Sequence, residues 1–507
     1  MKRYCLFFIT ILLSSAVSAQ GVFDAMRYAE TPINGTARYM GMAGAFGALG
    51  GEAGAISDNP AGLGIYRNSE FAVTAKALIP VTQGSWQTTR QQDDFNFCLN
   101  NASFVLSFLN SEKEKGVLAS NFGFGYNRLK HFTRSFSLQG ASSLNSMTDY
   151  MAGFTNGLSE DDLKLTEEYE PFDNENVPWL SILAYESQLI LPGGGNTWHS
   201  LLKAGEKSQP FYQAQESGYI DEFAFSYAAN VSDKVYLGAS FTMQTLDYSL
   251  ISSYKEIFQE GGSFILTNRF STSGFGWNFK FGAIVRPTDF MRVGASIHTP
   301  TYFTLRDGFK GKSVYDTAIK GSVETPNGQS NYRFTAPLKF QASMAFIIAK
   351  SGIISLDYML ADNRGTTRLK HVSSDLFLDT EPFALDNEDI KNFARIAHTV
   401  KLGGEYRINK AFSVRAGMAL VTPSMSDRAE KFVPLNTIRT DMEYMMDRGS
   451  IYGAAGFGYR STFGFGVDVA YAYRQKIDLF KPYNSTIEPA TVKTHYNNIL
   501  LSLSYKF

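Results

Sequence analysis

Six histidines, two cysteines and a scattering of acidic and basic side chains are what this sequence offers for chemistry. The histidines are His131, His199, His298, His371, His398 and His495, and they lie far apart. A metal site or an activated nucleophile needs partners at short spacing or in a recognisable motif, and none of the six supplies one. The sequence therefore assigns no catalytic residue, no metal and no cofactor, and it reads as a non-enzyme. One haem chemistry stays open: His131, His199 or His371, in polar connecting stretches, could supply an axial ligand. A single loop histidine is otherwise simply solvated.

A second group is defined by pattern. Lys280, Arg292, Asp357, Lys401, Glu405, Arg415 and Asp468 fall on the polar side of segments in which apolar and polar residues alternate. A charge turned toward lipid is costly, so these side chains are expected to face an interior. There they would pair with one another or with whatever fills it. One or two basic members could instead grip a carboxylate headgroup, bidentate where the residue is arginine.

The elements that must place these groups begin with an export signal. Lys2 and Arg3 precede an apolar run from Cys5 to Leu13, and Ser14 to Ala19 is rich in small residues. Cleavage is expected after residue 19, leaving Gln20 first. No later stretch is long enough for a membrane-spanning helix, which takes ~20 apolar residues. The 2 cysteines exclude a disulfide-built exported fold, because Cys5 leaves with the signal and Cys98 stays alone. A net charge of −1 gives no case for nucleic acid.

Period-two alternation dominates what remains. Val235 to Thr245 sets Leu237, Phe241 and Met243 against Gly238, Ser240 and Gln244, and Ala411 to Thr422 sets Val414 and Met418 against Arg415 and Gly417. Such runs approach the ~9–11 residues of a membrane-crossing strand. Fourteen of them are legible, from Glu70–Ile79 to Thr494–Phe507. Short turns such as Ser232–Asp233 and Lys410 alternate with long polar stretches, the longest from Leu129 to Gly218. An even strand number with short turns on one side and long loops on the other predicts an all-β fold, a 14-stranded antiparallel transmembrane β-barrel over 70–507. Within the longest loop, Ser146–Gly157 and Leu180–Leu191 have helical spacing and predict external helices. Those helices would form a greasy landing surface or a cap on the barrel mouth.

Residues 20–69 do not read as a strand. From Gly35 to Glu70 they are rich in Gly and Ala but also in Met, Phe, Leu and Ile, which a flexible linker rarely is. A compact plug inside the barrel fits, with Gly238, Gly282, Gly294, Gly417, Gly464 and Gly466 of the wall leaving it room. This stretch, with Asn59-Pro60-Ala61-Gly62 just before the first strand, resembles the hatch of FadL-type outer-membrane channels for long-chain fatty acids and aromatic hydrocarbons. The resemblance implies a fourteen-stranded barrel closed by an N-terminal hatch, and passive uptake of a hydrophobic ligand through a hatch-gated lateral exit. It places that exit at a kink in the third strand, where Asn121, Gly123 and Gly125 stand; clearance for the hatch would explain the same glycines. The implied partners are a fatty-acid-like small molecule, outer-membrane lipid and, during biogenesis, the barrel-assembly machinery. The chain is expected to be monomeric and to reside in the bacterial outer membrane. A haem receptor and a non-transporting scaffold of a secretion system are the alternatives from other classes.

Overall fold

The structure is a computed structural model that describes residues 21–110, 115–315, 322–349, 351–372, 383–434 and 436–507. The expected signal, 1–19, lies outside the described residues.

Alternating side chains produce one closed wall. Its strands are β1 (Glu70–Ser85), β2 (Asn96–Leu109), β3 (Val117–His131), β4 (Ser208–Val231), β5 (Val235–Phe258) and β6 (Ser263–Thr288). Next come β7 (Met291–His298 and Tyr302–Tyr315), β8 (Gly328–Thr335 and Leu338–Ile348) and β9 (Gly352–Asp362 and Arg368–His371), each in two segments. The circuit ends with β10 (Ile396–Arg407), β11 (Phe412–Val421), β12 (Tyr444–Arg460), β13 (Phe465–Lys481) and β14 (Ala490–Lys506). Every neighbour pairs antiparallel, and β14 closes on β1 from Lys506 opposite Glu70 to Thr491 opposite Ser85. Closure is obligatory in lipid, which offers nothing to an unpaired edge.

The outer surface shows where the membrane lies. Phe225, Tyr227, Leu237, Phe241, Phe275, Trp277 and Phe281 point outward and are exposed. Farther along the same strands the outward residues become Gln213, Gln215, Ser217, Arg269 and Ser271. β4, β5 and β6 run for 24, 24 and 26 residues, well beyond the ~9–11 that cross lipid. These extensions correct the boundaries of the long connection between β3 and β4. It spans 132–207, not 129–218, and even its Arg134–Gln139 pairs with β4.

Inside that connection lie the two expected helices. α1 (Val22–Ala29) and α2 (Ala37–Gly41) belong to the plug, and α3 (Met147–Thr155), α4 (Glu160–Leu163) and α5 (Trp179–Glu186) to the loop. Ser146 and Asp149 form a capping box on α3. Glu256 accepts the Met147 N–H at 2.8 Å and also binds Ser146, which pins α3 to the top of β5. In α5 every residue from Trp179 to Ala184 is buried. These helices close the mouth; their apolar residues face inward.

Residues 21–69 fill the barrel through close backbone approach. A Cβ on Gly238 would stand 2.5 Å from the Pro60 O and the Ala61 N, and one on Gly294 would stand 2.5 Å from the Gly47 O. Side chains at Gly282 and Gly417 would overlap Asn59 and the Met42 backbone. Gly464 and Gly466 have another role: they neighbour Lys506, Arg460 and Ser504, and Gly464 turns the chain between β12 and β13 with φ +85°. Replacing Gly238 with valine should therefore push the plug off the wall, at an overpacking cost of about 1–3 kcal/mol, while leaving the ladder to form. Heat-modifiable migration should persist and ion conductance in planar bilayers should rise; a conductance equal to wild type would show that the plug does not sit against β5.

Candidate functional site

The Asn59-Pro60-Ala61-Gly62 motif is a structural joint. Asn59 is 2 % exposed and accepts the Ala61 N–H at 3.0 Å, opening a 3-10 turn, Pro60–Ile65, with proline at its first position. Its Nδ2 donates to the Gly47 O at 2.7 Å, tying the turn to the preceding loop of the hatch. Only a residue with both a donor and an acceptor can do this at a site where glycines of β5 and β6 leave room for nothing larger.

Around that joint the charges selected by pattern are brought together with the hatch. Lys280 donates to Glu222 at 2.7 Å and to the Ser57 O at 3.0 Å. Lys401 meets Asp58 at 2.7 Å, and the Asp58 carbonyl accepts from Ser296 and bonds His298 Nε2. Asp357 accepts the Gly47 N–H at 2.8 Å, and Arg292 donates to the Leu49 O at 2.5 Å. Arg38 of α2 grips Glu405 through Nε at 2.9 Å and Nη2 at 3.0 Å. Arg415 joins Glu405 to Asp468 at 2.5 and 2.7 Å, and Arg460 reaches Asp468 at 2.7 Å. Sequence reasoning missed Asp58, Arg38 and Glu222, which sit in the hatch or on β4. The parity of β4 could have exposed Glu222.

The β3 residues are placed differently from the expectation. Asn121 donates to the Leu63 O and the Tyr66 O at 2.7 and 3.1 Å, holding the end of the hatch. A Cβ on Gly123 would stand 3.1 Å from Leu63, whereas Gly125 has open space above it. Neither glycine carries a register shift. Both flanking ladders run unbroken across Ala119–Asn127, and register shifts fall at the edges, beside Leu118 and Leu129. The hatch contacts on Asn121 and Gly123 back the strand from inside and keep it regular.

The wall is interrupted elsewhere. Thr299–Thr301 break β7, Ala336 and Pro337 break β8, and 363–367 break β9, all at one height because His298 faces Lys339 and Lys339 faces Ala361. Pro300 and Pro337 have no N–H to give the ladder. The gap is bridged by Ala336 N–H to the Thr301 O and Leu338 N–H to Thr366 Oγ1, both 2.9 Å. Behind it lies a cavity of about 90 Å³ between the hatch connector Thr31–Asn34 and the wall, lined in part by Phe303, Pro337 and Met359. Lys339 projects there and donates to Thr31 Oγ1 at 2.5 Å; among the described residues it has no carboxylate partner.

Beyond this cavity the interior is packed with aromatic rings. Tyr28 of α1 lies 6.0 to 6.4 Å from Tyr248, Phe334 and Phe132. Asp24 on the same helix pairs with Arg27 at 2.7 Å and with Arg439 of the loop before β12. Burial alone would raise the Asp24 carboxyl, but Arg439 and Arg27 beside it hold it below its ordinary value. Glu30 gathers Lys130 at 2.8 Å together with Arg474 and Lys476.

The three histidines considered for haem stand in three different places. His131 ends β3, half-buried, with Nε2 3.4 Å from Cys98 Sγ. His199 lies in a small hairpin, and His371 ends β9. Among the described residues no group of three His, Cys, Asp or Glu could hold a metal ion.

Glu405 supplies the sharpest test of this mesh. Its replacement by glutamine would remove the anion shared by Arg38 and Arg415, which keep Glu52 and Asp468 as partners, a loss of about 1–3 kcal/mol. Thermal unfolding in detergent should shift down accordingly; an unchanged midpoint would mean that the hatch is not held by this cluster.

No family model matches the chain, and no curated protein matches it. Among solved structures, a FadL homologue from Pseudomonas aeruginosa superposes with a TM-score of 0.53 at 13% identity, covering 94% of this chain and 99% of that one. The P. putida toluene transporter TodX superposes at 0.51 and 12% identity, covering 94% of this chain and 99% of that one. The chain has the FadL-like fold, a closed 14-stranded barrel.

Proposed function

We propose that this protein is an outer-membrane channel for passive uptake of hydrophobic molecules, with long-chain fatty acids as its default cargo. The barrel, its lipid-facing aromatic surface and the neighbouring FadL homologue and toluene transporter support the class. The observation that carries the reading is the cavity beside the β7–β9 break, with Lys339 at its edge. The lining mixes apolar side chains with the paired charges Lys280–Glu222 and Lys401–Asp58. Among the described residues Lys339 has no carboxylate of its own, which suits a hydrophobic acid, whereas a neutral hydrocarbon would gain nothing from that charge.

The exit follows from the same place. At Gly123 and Gly125, leaving through β3 requires breaking two ladders that run unbroken from Ala119 to Asn127, whereas the β7–β9 break is spanned by few hydrogen bonds and two prolines supply none. Entry requires α1 to move, because its Tyr28 fills the space above the cavity. The hatch connector Thr31–Asn34 joins α1 to the clamped α2, so it is the segment that would transmit such a shift.

Mass spectrometry of molecules retained by the purified protein should find long-chain acids, and Lys339→Met should deplete them. Equal retention of fatty acids by Lys339→Met would remove the carboxylate reading and leave neutral hydrocarbons.

Route is tested separately on a Cys98→Ser background. A disulfide between Thr301→Cys and Ala336→Cys should block transfer into the membrane until it is reduced. Gly123→Val with Gly125→Val should leave transfer intact. The reverse pattern would place the exit at β3.

A further inference from the structure

A second cavity has no part in this reading. It lies at the mouth formed by the short turns, beneath the hatch, and measures about 380 Å³ against about 90 Å³ for the one beside Lys339. Arg38, Arg67, Arg292, Arg407 and Lys506 line it with a single carboxylate, Glu405. That carboxylate is already taken by Arg38 and Arg415. Arg67 pairs with Asp233, and Lys506 stands 3.7 Å from Glu70. Among the described residues Arg292 and Arg407 form no ion pair. Arg292 gives one nitrogen to the Leu49 O, and its Nε is buried without a hydrogen-bond partner.

We infer that this mouth is a binding site for a phosphate-type oxyanion, held by the Arg292 and Arg407 guanidinium groups. A planar guanidinium presents paired donors that match two oxygens of a phosphate, and two of them lining one concave space favour a dianion over a single carboxylate. The surplus of positive charge in a cleft walled by protein raises the local concentration of anions. The orphaned Arg292 Nε gains an acceptor when the anion arrives. Because Arg292 also holds the Leu49 carbonyl, the anion would sit against the base of the hatch. Free inorganic phosphate and the phosphate of a lipid headgroup in the adjoining leaflet share this chemistry. The site does not depend on what the channel carries.

Isothermal titration calorimetry on the full protein in a neutral detergent tests it, with inorganic phosphate, dihexanoyl phosphatidate and acetate as probes. Phosphate should bind and weaken as salt is raised, and Arg292→Gln and Arg407→Gln should each cost roughly tenfold in affinity. Lys310→Gln, on the outer extension of β7 and paired with Glu324, should bind as wild type. Binding of inorganic phosphate, with or without the lipid analogue, supports a free oxyanion; binding of phosphatidate alone supports a headgroup. Arg407 is exposed, so its variant reads the site even if Arg292→Gln disturbs the hatch. Absence of binding by both phosphates, acetate binding as tightly as phosphate, or unchanged affinity in Arg407→Gln would overturn the assignment.

Discussion

A closed wall of fourteen strands encloses polar side chains that lipid cannot solvate, and the ion pairs around Asp58 and Glu405 take the place of water. Each of these carboxylates is met by a lysine or arginine from across the hatch–wall boundary. Buried charges of this kind are costly when a partner is removed. The hatch and the inner wall are therefore electrostatically one unit, and no channel can open through the lower half without separating charges.

The upper half adds aromatic packing to its ion pairs. Rings from β5, from β8 and from Phe132 just after β3 pack around Tyr28 of α1, and the ties to Asp24 and Glu30 run to loops and to strand extensions. Aromatic packing can slide with modest loss, since each contact is individually small. A molecule of this design has a fixed floor and a deformable ceiling. The cavity beside Lys339 lies between the two, at the height where β7, β8 and β9 lose their regular pairing.

The two faces of the hatch also differ in charge. Above it, acids and bases are closely matched around Glu30, Arg474 and Lys476. Below it, guanidinium groups outnumber carboxylates, and among the described residues two form no ion pair. The matched face is stable without a ligand, and the unmatched one gains from an anion.

What the sequence determined by itself is the wall. A period of two survives folding because each strand meets lipid on one side and protein on the other, so all fourteen strands and the inward parity of Lys280, Lys401, Glu405 and Arg415 were legible. Strand ends were not, because beyond the membrane the outward face turns polar and the alternation fades, as at Gln213 to Ser217. The inward glycines of β5, β6, β7 and β11 were also readable as clearance, while Gly464 and Gly466 looked the same and serve a turn and its neighbour. Only the tertiary structure decided which partner each charge takes. Asp58 and Arg38 meet their counterparts across 343 and 367 residues of chain, and Glu222 meets Lys280 across 58, distances over which sequence spacing carries no signal. It also decided where the wall is weak: a glycine permits a bend, but Gly123 stays regular with Leu63 packed behind it, and the break falls where two prolines on adjacent strands withhold their donors at the same height.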